Sequence, residues 1–370
     1  MEQNKPHINI FKVLIKAGFL FVLFNFAFIL VDLDSLGRVS LYNSLFPGRE
    51  RFPFGETRAA YNLSLYNVDA MFASHVLSSR EKAPDEFRVL LIGDSSVWGT
   101  LLTPEETLAG QLNANSITAC DKNVHAYNLG YPTISLTKDL MLLDGALDYQ
   151  PDMVVLLTTL EAFPRGKQFE SPLVANNADR VRDLIFEYEL NASPDDPALV
   201  QPSILDQTFV SQRRAIADLF RLQVYGVLWA STGLDQVYPG DYERAQTDLD
   251  ADLEFHGMNQ PSELREALAI DVLDAIMNAA DVTTLLVNEP MLISGGANSD
   301  IRYNFFYPRW AYDEYRRAMN EYASSQEKPY LDLWELVPAG EFTNSAIHLT
   351  PQGESLLADE VVKAIQANCE

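Results

Sequence analysis

Two residues far apart in this chain would make a chemical pair. Ser95 ends the run Arg88-Val89-Leu90-Leu91-Ile92-Gly93-Asp94-Ser95, and His348 opens His348-Leu349-Thr350-Pro351-Gln352-Gly353 near the other end of the sequence. A serine hydroxyl is a weak nucleophile alone. It needs a general base within hydrogen-bond reach and N–H donors for the oxyanion that its attack creates. The plain alternatives are a turn serine and a histidine beside a helix N-terminus.

The elements around the pair decide whether they can meet. Val89–Ile92 is an uninterrupted apolar run, too short for a helix, and reads as a buried strand ending in a sharp turn. Val124–Tyr127 is a second strand, ending in Asn128-Leu129-Gly130. Met153–Leu157 is a third, ending in Thr158-Thr159. Thr283–Val287 is a fourth, ending in Asn288-Glu289-Pro290, and Tyr330–Leu333 is a fifth. Helices are predicted between them. Thr103-Pro104-Glu105-Glu106 has a capping-box start and runs to about Asn113. Others cover Leu136–Leu147, Ser262–Ala280 and a stretch running to about Ala323, and Thr350-Pro351 caps a last helix to about Ala367. Strand alternating with helix implies an α/β protein with a parallel sheet. In such a sheet the loops that carry Ser95 and His348 open on one edge.

The chain has 370 residues and 47% hydrophobic content, enough for a sizeable core. Its 52 acidic and 27 basic residues give a formal charge of −25. That excludes nucleic acid as a partner and argues against electrostatic docking on anionic lipid. The five histidines are scattered, so no metal cluster is visible and no cofactor is implied.

One membrane signal is present. From Val13 to Val31 only Lys16 and Asn25 interrupt the apolar run, and nineteen helical residues span roughly 28 Å, about the hydrocarbon thickness. Lys5, Lys12 and Lys16 precede it or lie in its first turns, while Asp32 and Asp34 follow. The basic flank should stay cytoplasmic, which makes this a single-pass, bacterial-type membrane protein with residues 32–370 extracytoplasmic. No small-x-small cleavage site follows, so an uncleaved anchor is expected. Residues 32–87 form a membrane-proximal segment, rich in aromatics around Phe52-Pro53-Phe54-Gly55 and Tyr61–Phe72. It should pack against the main domain through to a connector at Ser78–Asp85, with His75 a packed or surface residue rather than a catalytic one. The main domain is 88–370, interrupted by a partly helical insertion at 162–265.

Three blocks carry a family resemblance. Gly93-Asp94-Ser95 with Gly99, Asn128-Leu129-Gly130, and His348-Leu349-Thr350-Pro351-Gln352-Gly353 resemble the SGNH/GDSL hydrolase superfamily. The resemblance covers roughly 86–160 and 265–368. It implies a flavodoxin-like three-layer α/β/α sandwich around a five-stranded parallel sheet, and acyl transfer or hydrolysis through an acyl-serine. Ser95 would be the nucleophile and His348 the base. The backbone N–H groups of Ser95 and Gly130 would bind the oxyanion, and Asp94 would brace the turn.

Two positions depart from the family pattern. Where the third block has an asparagine donor, this chain reads Thr159-Leu160-Glu161-Ala162. Either Glu161 is protonated by burial, or Thr158 or Thr159 substitutes, or the donor lies elsewhere. Three residues before the histidine, where the family usually has aspartate, stands Ser345, preceded by Asn344; Glu341 or Glu289 are the acidic alternatives for orienting the ring. Such departures resemble membrane-anchored members that act on acylated envelope glycans, some beside a membrane-bound O-acyltransferase. The other reading is an accessory subunit of such a system that keeps the fold and lacks the chemistry. Trp98 and the Tyr303–Tyr312 aromatics either line an acyl or sugar pocket or fill core. Cys120 and Cys369 fall at the same sheet edge, opposite the site, and either pair in an oxidising compartment or stay free.

Overall fold

The computed structural model describes residues 9–31, 33–54, 66–236, 241–279 and 282–369. Lys5, Asp32, Gly55 and Tyr61 lie outside these. The sheet contains β1 (Glu86–Ile92), β2 (Thr118–Ala119), β3 (Lys122–Asn128), β4 (Met153–Thr158), β5 (Thr283–Asn288) and β6 (Tyr330–Asp332). Their spatial order is β2-β3-β1-β4-β5-β6. Five are mutually parallel, with Leu91 of β1 opposite both Asn128 of β3 and Val155 of β4.

The expected five-stranded parallel sheet is therefore a six-stranded mixed one. The extra strand, β2, pairs antiparallel with β3, Ala119 opposite Lys122. Its two turn residues, Cys120 and Asp121, have φ of +48° and +60°. Two successive positive φ values make the tight hairpin turn whose twist matches paired strands. The sequence lacks the Asn-Gly or Asp-Gly that announces such a turn.

The apolar run of β1 is continuous because helices cover both faces. Leu90 and Ile92 join Val154, Leu156 and Leu286 beneath helices Leu136–Ala146, Ile270–Asn278 and Arg309–Ser325. Val89 and Leu91 join Val155, Leu157 and Val287 on the other face, beneath Leu108–Ala114 and Pro351–Ala367. Alternate side chains of one strand thus feed two cores. Each fully buried leucine contributes about 1.5–3 kcal/mol.

Two predicted helices are shorter than expected. The Thr103 start gives only a 3₁₀ turn, Pro104–Glu106, with Glu106 Oε2 accepting from Thr103 N–H at 2.9 Å. Thr107 then turns extended and caps a separate helix through Gly110 N–H. The helix expected over 262–280 is broken at Leu268-Ala269, where Leu268 pairs with Pro164 and Ala269 N–H donates to Phe163 O at 2.9 Å. Cys120 and Cys369 are joined as a disulfide, tying the β2–β3 turn to the end of the last helix.

The helical run Ile10–Leu30 is long and apolar enough to cross a membrane, with mean hydropathy 2.4 and no part of it buried in the protein.

Candidate active site

The nucleophile turn is built by short-range hydrogen bonds. Asp94 leaves β1 and caps the one-turn helix Ser95–Trp98, its Oδ1 accepting from Ser96 N–H at 2.8 Å. Gly99 ends that turn at φ +84°, donating to the carbonyls of Ser95 and Ser96. A side chain there would be strained and would meet Thr107 Cγ2 at 2.4 Å. Ser95 is the first helical residue, so its own N–H has no acceptor within the helix.

Residues from well before β1 hold this turn from behind. Arg51 is fully buried and donates from Nη1 to the carbonyls of Trp98 (3.2 Å), Gly99 (2.8 Å) and Leu102 (3.1 Å). Its guanidinium stacks 4.3 Å from the Trp98 ring, and Trp98 Nε1 donates to Phe52 O. Burial lowers the Arg51 pKa to about 10. His75, also fully buried, donates from Nε2 to Asn128 O at 3.0 Å and accepts Leu77 N–H at Nδ1. Burial pulls its pKa down to about 4, so it is a neutral packing residue. Lys138 reaches Gly93 O at 2.6 Å from beneath, with Asp139 as its ion-pair partner.

The histidine arrives on a narrow hairpin. Phe342 and Leu349 pair antiparallel, Thr343 N–H donates to His348 O, and Thr350 N–H donates to Glu341 O, each at 2.9 Å. Thr350 and Pro351 then start the last helix, with Thr350 Oγ1 accepting from Gly353 N–H. This geometry sets Asn344 Oδ1 2.7 Å from His348 Nδ1, and His348 Nε2 2.7 Å from Ser95 Oγ. A carboxamide oxygen only accepts, so Nδ1 carries the proton and Nε2 offers its lone pair to the Ser95 hydroxyl. Burial lowers the His348 pKa to about 4. The ring is therefore in its basic form at neutral pH. Ser95, His348 and Asn344 form one line of hydrogen bonds that can deprotonate the serine during attack.

The acidic alternatives for orienting the ring are engaged elsewhere. Glu341 accepts from Thr350 Oγ1, and Glu289 accepts from Ser96 Oγ. Ser345 follows Asn344 in the hairpin and makes no hydrogen bond to the ring.

Gly130 is placed against the nucleophile helix, where a Cβ would meet Trp98 N at 2.3 Å. Its N–H, expected to face the oxyanion, instead donates to Asn128 Oδ1 at 3.0 Å, while Asn128 Nδ2 donates to Val97 O. The close approach accounts for the glycine.

Of the alternatives for this position, protonation of Glu161 by burial is opposed by its neighbours. Burial raises its pKa, but hydrogen bonds from His256 and Lys167 outweigh that and leave it below the usual carboxylate value. His256 Nε2 lies 3.0 Å from Glu161 Oε2, and Lys167 Nζ bonds Oε1. Thr159 Oγ1 is spent on Tyr307 OH at 3.2 Å, which also accepts Glu161 N–H. Thr158 Oγ1 is buried without a partner. His256 and Lys167 carry no local motif and come from the insertion, so sequence reasoning missed them.

Part of the aromatic set is core, while Phe305, Phe306 and Trp310 are only half-buried. Trp98, Tyr303, Tyr307 and Tyr312 are all buried, Tyr303 packing on Tyr312 and Trp334, and Tyr312 donating to Asn288 Oδ1. Next to the turn, Ser96, Glu289 and Glu354 help line a cavity of about 10 Å³, roughly one water in size. Burial raises the Glu354 pKa to about 8.

The chain is similar to several solved structures at 11–14% identity and TM-scores of 0.32–0.38. It is similar to an aryl esterase from M. smegmatis (14% identity, 76% of this chain and 98% of that one, TM-score 0.34). It is also similar to a lipase/acylhydrolase from Enterococcus faecalis (14%, 76% and 97%, TM-score 0.38) and a carbohydrate acetylesterase from Sinorhizobium meliloti (12%, 76% and 99%, TM-score 0.32). No family model and no curated protein matches the sequence.

Proposed function

We propose that this chain is an SGNH-type serine esterase or O-acyltransferase. The observation that carries the reading is the hydrogen-bonded line Ser95–His348–Asn344. Ser95 Oγ attacks the acyl carbonyl while its proton passes to His348 Nε2. The oxyanion meets the Ser95 N–H; Gly130 N–H joins only if it leaves Asn128. Collapse expels the alcohol, which takes the proton from His348. Water or a second alcohol, deprotonated by the same nitrogen, then resolves the acyl-serine. The resident N-terminal helix anchors the protein in a cell membrane, with Lys12 and Lys16 toward the cytoplasm and the enzyme outside. Acylated envelope glycans are the substrate class this location and resemblance favour, and a membrane-bound O-acyltransferase is a fitting partner.

A fluorophosphonate probe tests the chemistry. The folded wild type should be labelled and should hydrolyse p-nitrophenyl acetate, and Ser95→Ala should do neither. Failure of the folded wild type to label would support the accessory-subunit reading instead. The engaged Gly130 N–H and the ionised Glu161 favour that second reading.

A further inference from the structure

The insertion carries a helical rod, Arg213–Arg221, then a π turn Leu222–Gly226, then Val227–Thr232. Its inner face, Leu222 and Ala230, is buried against Tyr42 of the membrane-proximal segment, where Gln223 Oε1 accepts Leu41 N–H at 2.6 Å. Its outer face presents Phe220, Val224 and Leu228 at helical spacing i, i+4, i+8, exposed by 68%, 58% and 55%. The short helices Leu33–Arg38 and Leu41–Leu45 beside it also expose Leu36, Leu41 and Leu45. Arg213, Arg214 and Arg221 lie on the same rod, Arg221 paired with Asp218 at 2.9 Å, within a chain whose formal charge is −25. An apolar stripe flanked by arginines is the pattern of a helix lying in a membrane interface.

An independent contact fixes where this rod sits. The loop just before it touches the anchor: the Phe209 ring is 5.1 Å from Phe24 and 5.3 Å from Phe28. Val210 N–H donates to Asn25 Oδ1 at 2.9 Å. Asn25 is the polar interruption in the otherwise apolar second half of the span. The run Ile10–Leu30 has 21 residues and so spans roughly 31 Å, the thickness of the hydrocarbon layer. Asn25 precedes Leu30 by five residues, so it lies about 7 Å inside the outer end. Phe209 and Val210 must share that depth, and interfacial helices bury their apolar faces about 5–10 Å.

We infer that the rod Arg213–Thr232, with the helices at 33–45, is a membrane-embedded foot in the outer leaflet of the lipid bilayer. Its apolar stripe enters the acyl boundary, and Arg213 and Arg214 meet the phosphates. The inference rests on the anchor reading above. It means that the enzyme is held at a fixed height over the membrane rather than swinging on a single tether.

The test uses the full-length protein in phosphatidylcholine vesicles. Leu23→Cys, Phe220→Cys, Leu228→Cys and Lys363→Cys are each labelled with an environment-sensitive NBD group without reductant, since the native cysteines are bonded to each other. Lipids with a nitroxide high on the acyl chain are the quencher. Positions 220 and 228 should lose at least about twofold in fluorescence, as should 23, with little loss at 363. Quenching at 23 without quenching at 220 and 228 would overturn the foot and keep the anchor. Blue-shifted but unquenched emission at 220 and 228 would also overturn it, by showing a protein cover. No quenching at any position, 23 included, would remove the anchor itself.

Discussion

The amide oxygen of Asn344 lies 2.7 Å from His348 Nδ1, on the side of the ring away from Ser95. It fixes the tautomer and brings no charge. An imidazolium here would therefore be less stabilised than beside a carboxylate, and burial already lowers the His348 pKa to about 4.

Asn344→Asp should reverse that balance. An anion in contact favours the protonated ring, so the acidic limb of the kcat/KM profile should move up by about 1–3 pH units, with higher kcat above it. Asn344→Ala should lower kcat by about tenfold or more, because the ring loses its orientation. Profiles on p-nitrophenyl acetate between pH 4 and 8 check both. An acidic limb that stays in place in Asn344→Asp would refute the assignment.

Arg51→Met keeps much of the packing against Trp98 but leaves four carbonyls, those of Trp98, Gly99, Leu102 and Gln236, without their donor. Urea unfolding should show a loss of about 3 kcal/mol. Turnover should fall as well, since two of those carbonyls belong to the end of the Ser95 helix. Unchanged stability and turnover would show that the clamp is dispensable.

Glu354 gives stability a pH dependence. Its native carboxyl keeps its proton until about pH 8, whereas the ordinary carboxyl releases it near 4.5. Between those values the native state binds more protons than the unfolded one, so stability declines as pH rises. Glu354→Gln should flatten the fall in Tm between pH 5 and 8. Equal slopes in wild type and variant would count against a buried neutral acid.

The disulfide lies at the far edge of the sheet from Ser95. The double variant Cys120→Ser, Cys369→Ser should lose about 2–4 kcal/mol in non-reducing urea titrations, yet keep its kcat at 25 °C. Thiol titration of the unreduced wild type should find no free thiol.

The legible features were local ones. The β1 run, the Gly93-Asp94-Ser95 turn and the Thr350-Pro351 cap each declare themselves within a few residues, and they bring Ser95 and His348 to one edge. Asn344 was a candidate because it neighbours the histidine in sequence. The supports behind the turn had no such signature. Arg51 meets Gly99 across 48 residues and His256 meets Glu161 across 95, and neither contact leaves a periodicity to read. The broken helix at Leu268-Ala269 and the hairpin at Cys120-Asp121 were missed for the same reason: long-range pairing or an uncommon turn residue overrode local preference.

Arg51 and His75 belong to the stretch before β1, yet Arg51 holds the backbone of Trp98 and Gly99 at the end of the Ser95 turn and His75 holds Asn128 at the end of β3. That stretch and the sheet are consequently not separable modules. A proteolytic clip near residue 80 would cut the covalent link between Ser95 and the residues that brace its turn, whereas a cut before Ser40 would leave Arg51 and His75 joined to the sheet. Where a protease cuts this stretch decides whether the Ser95 turn stays covalently tied to its braces.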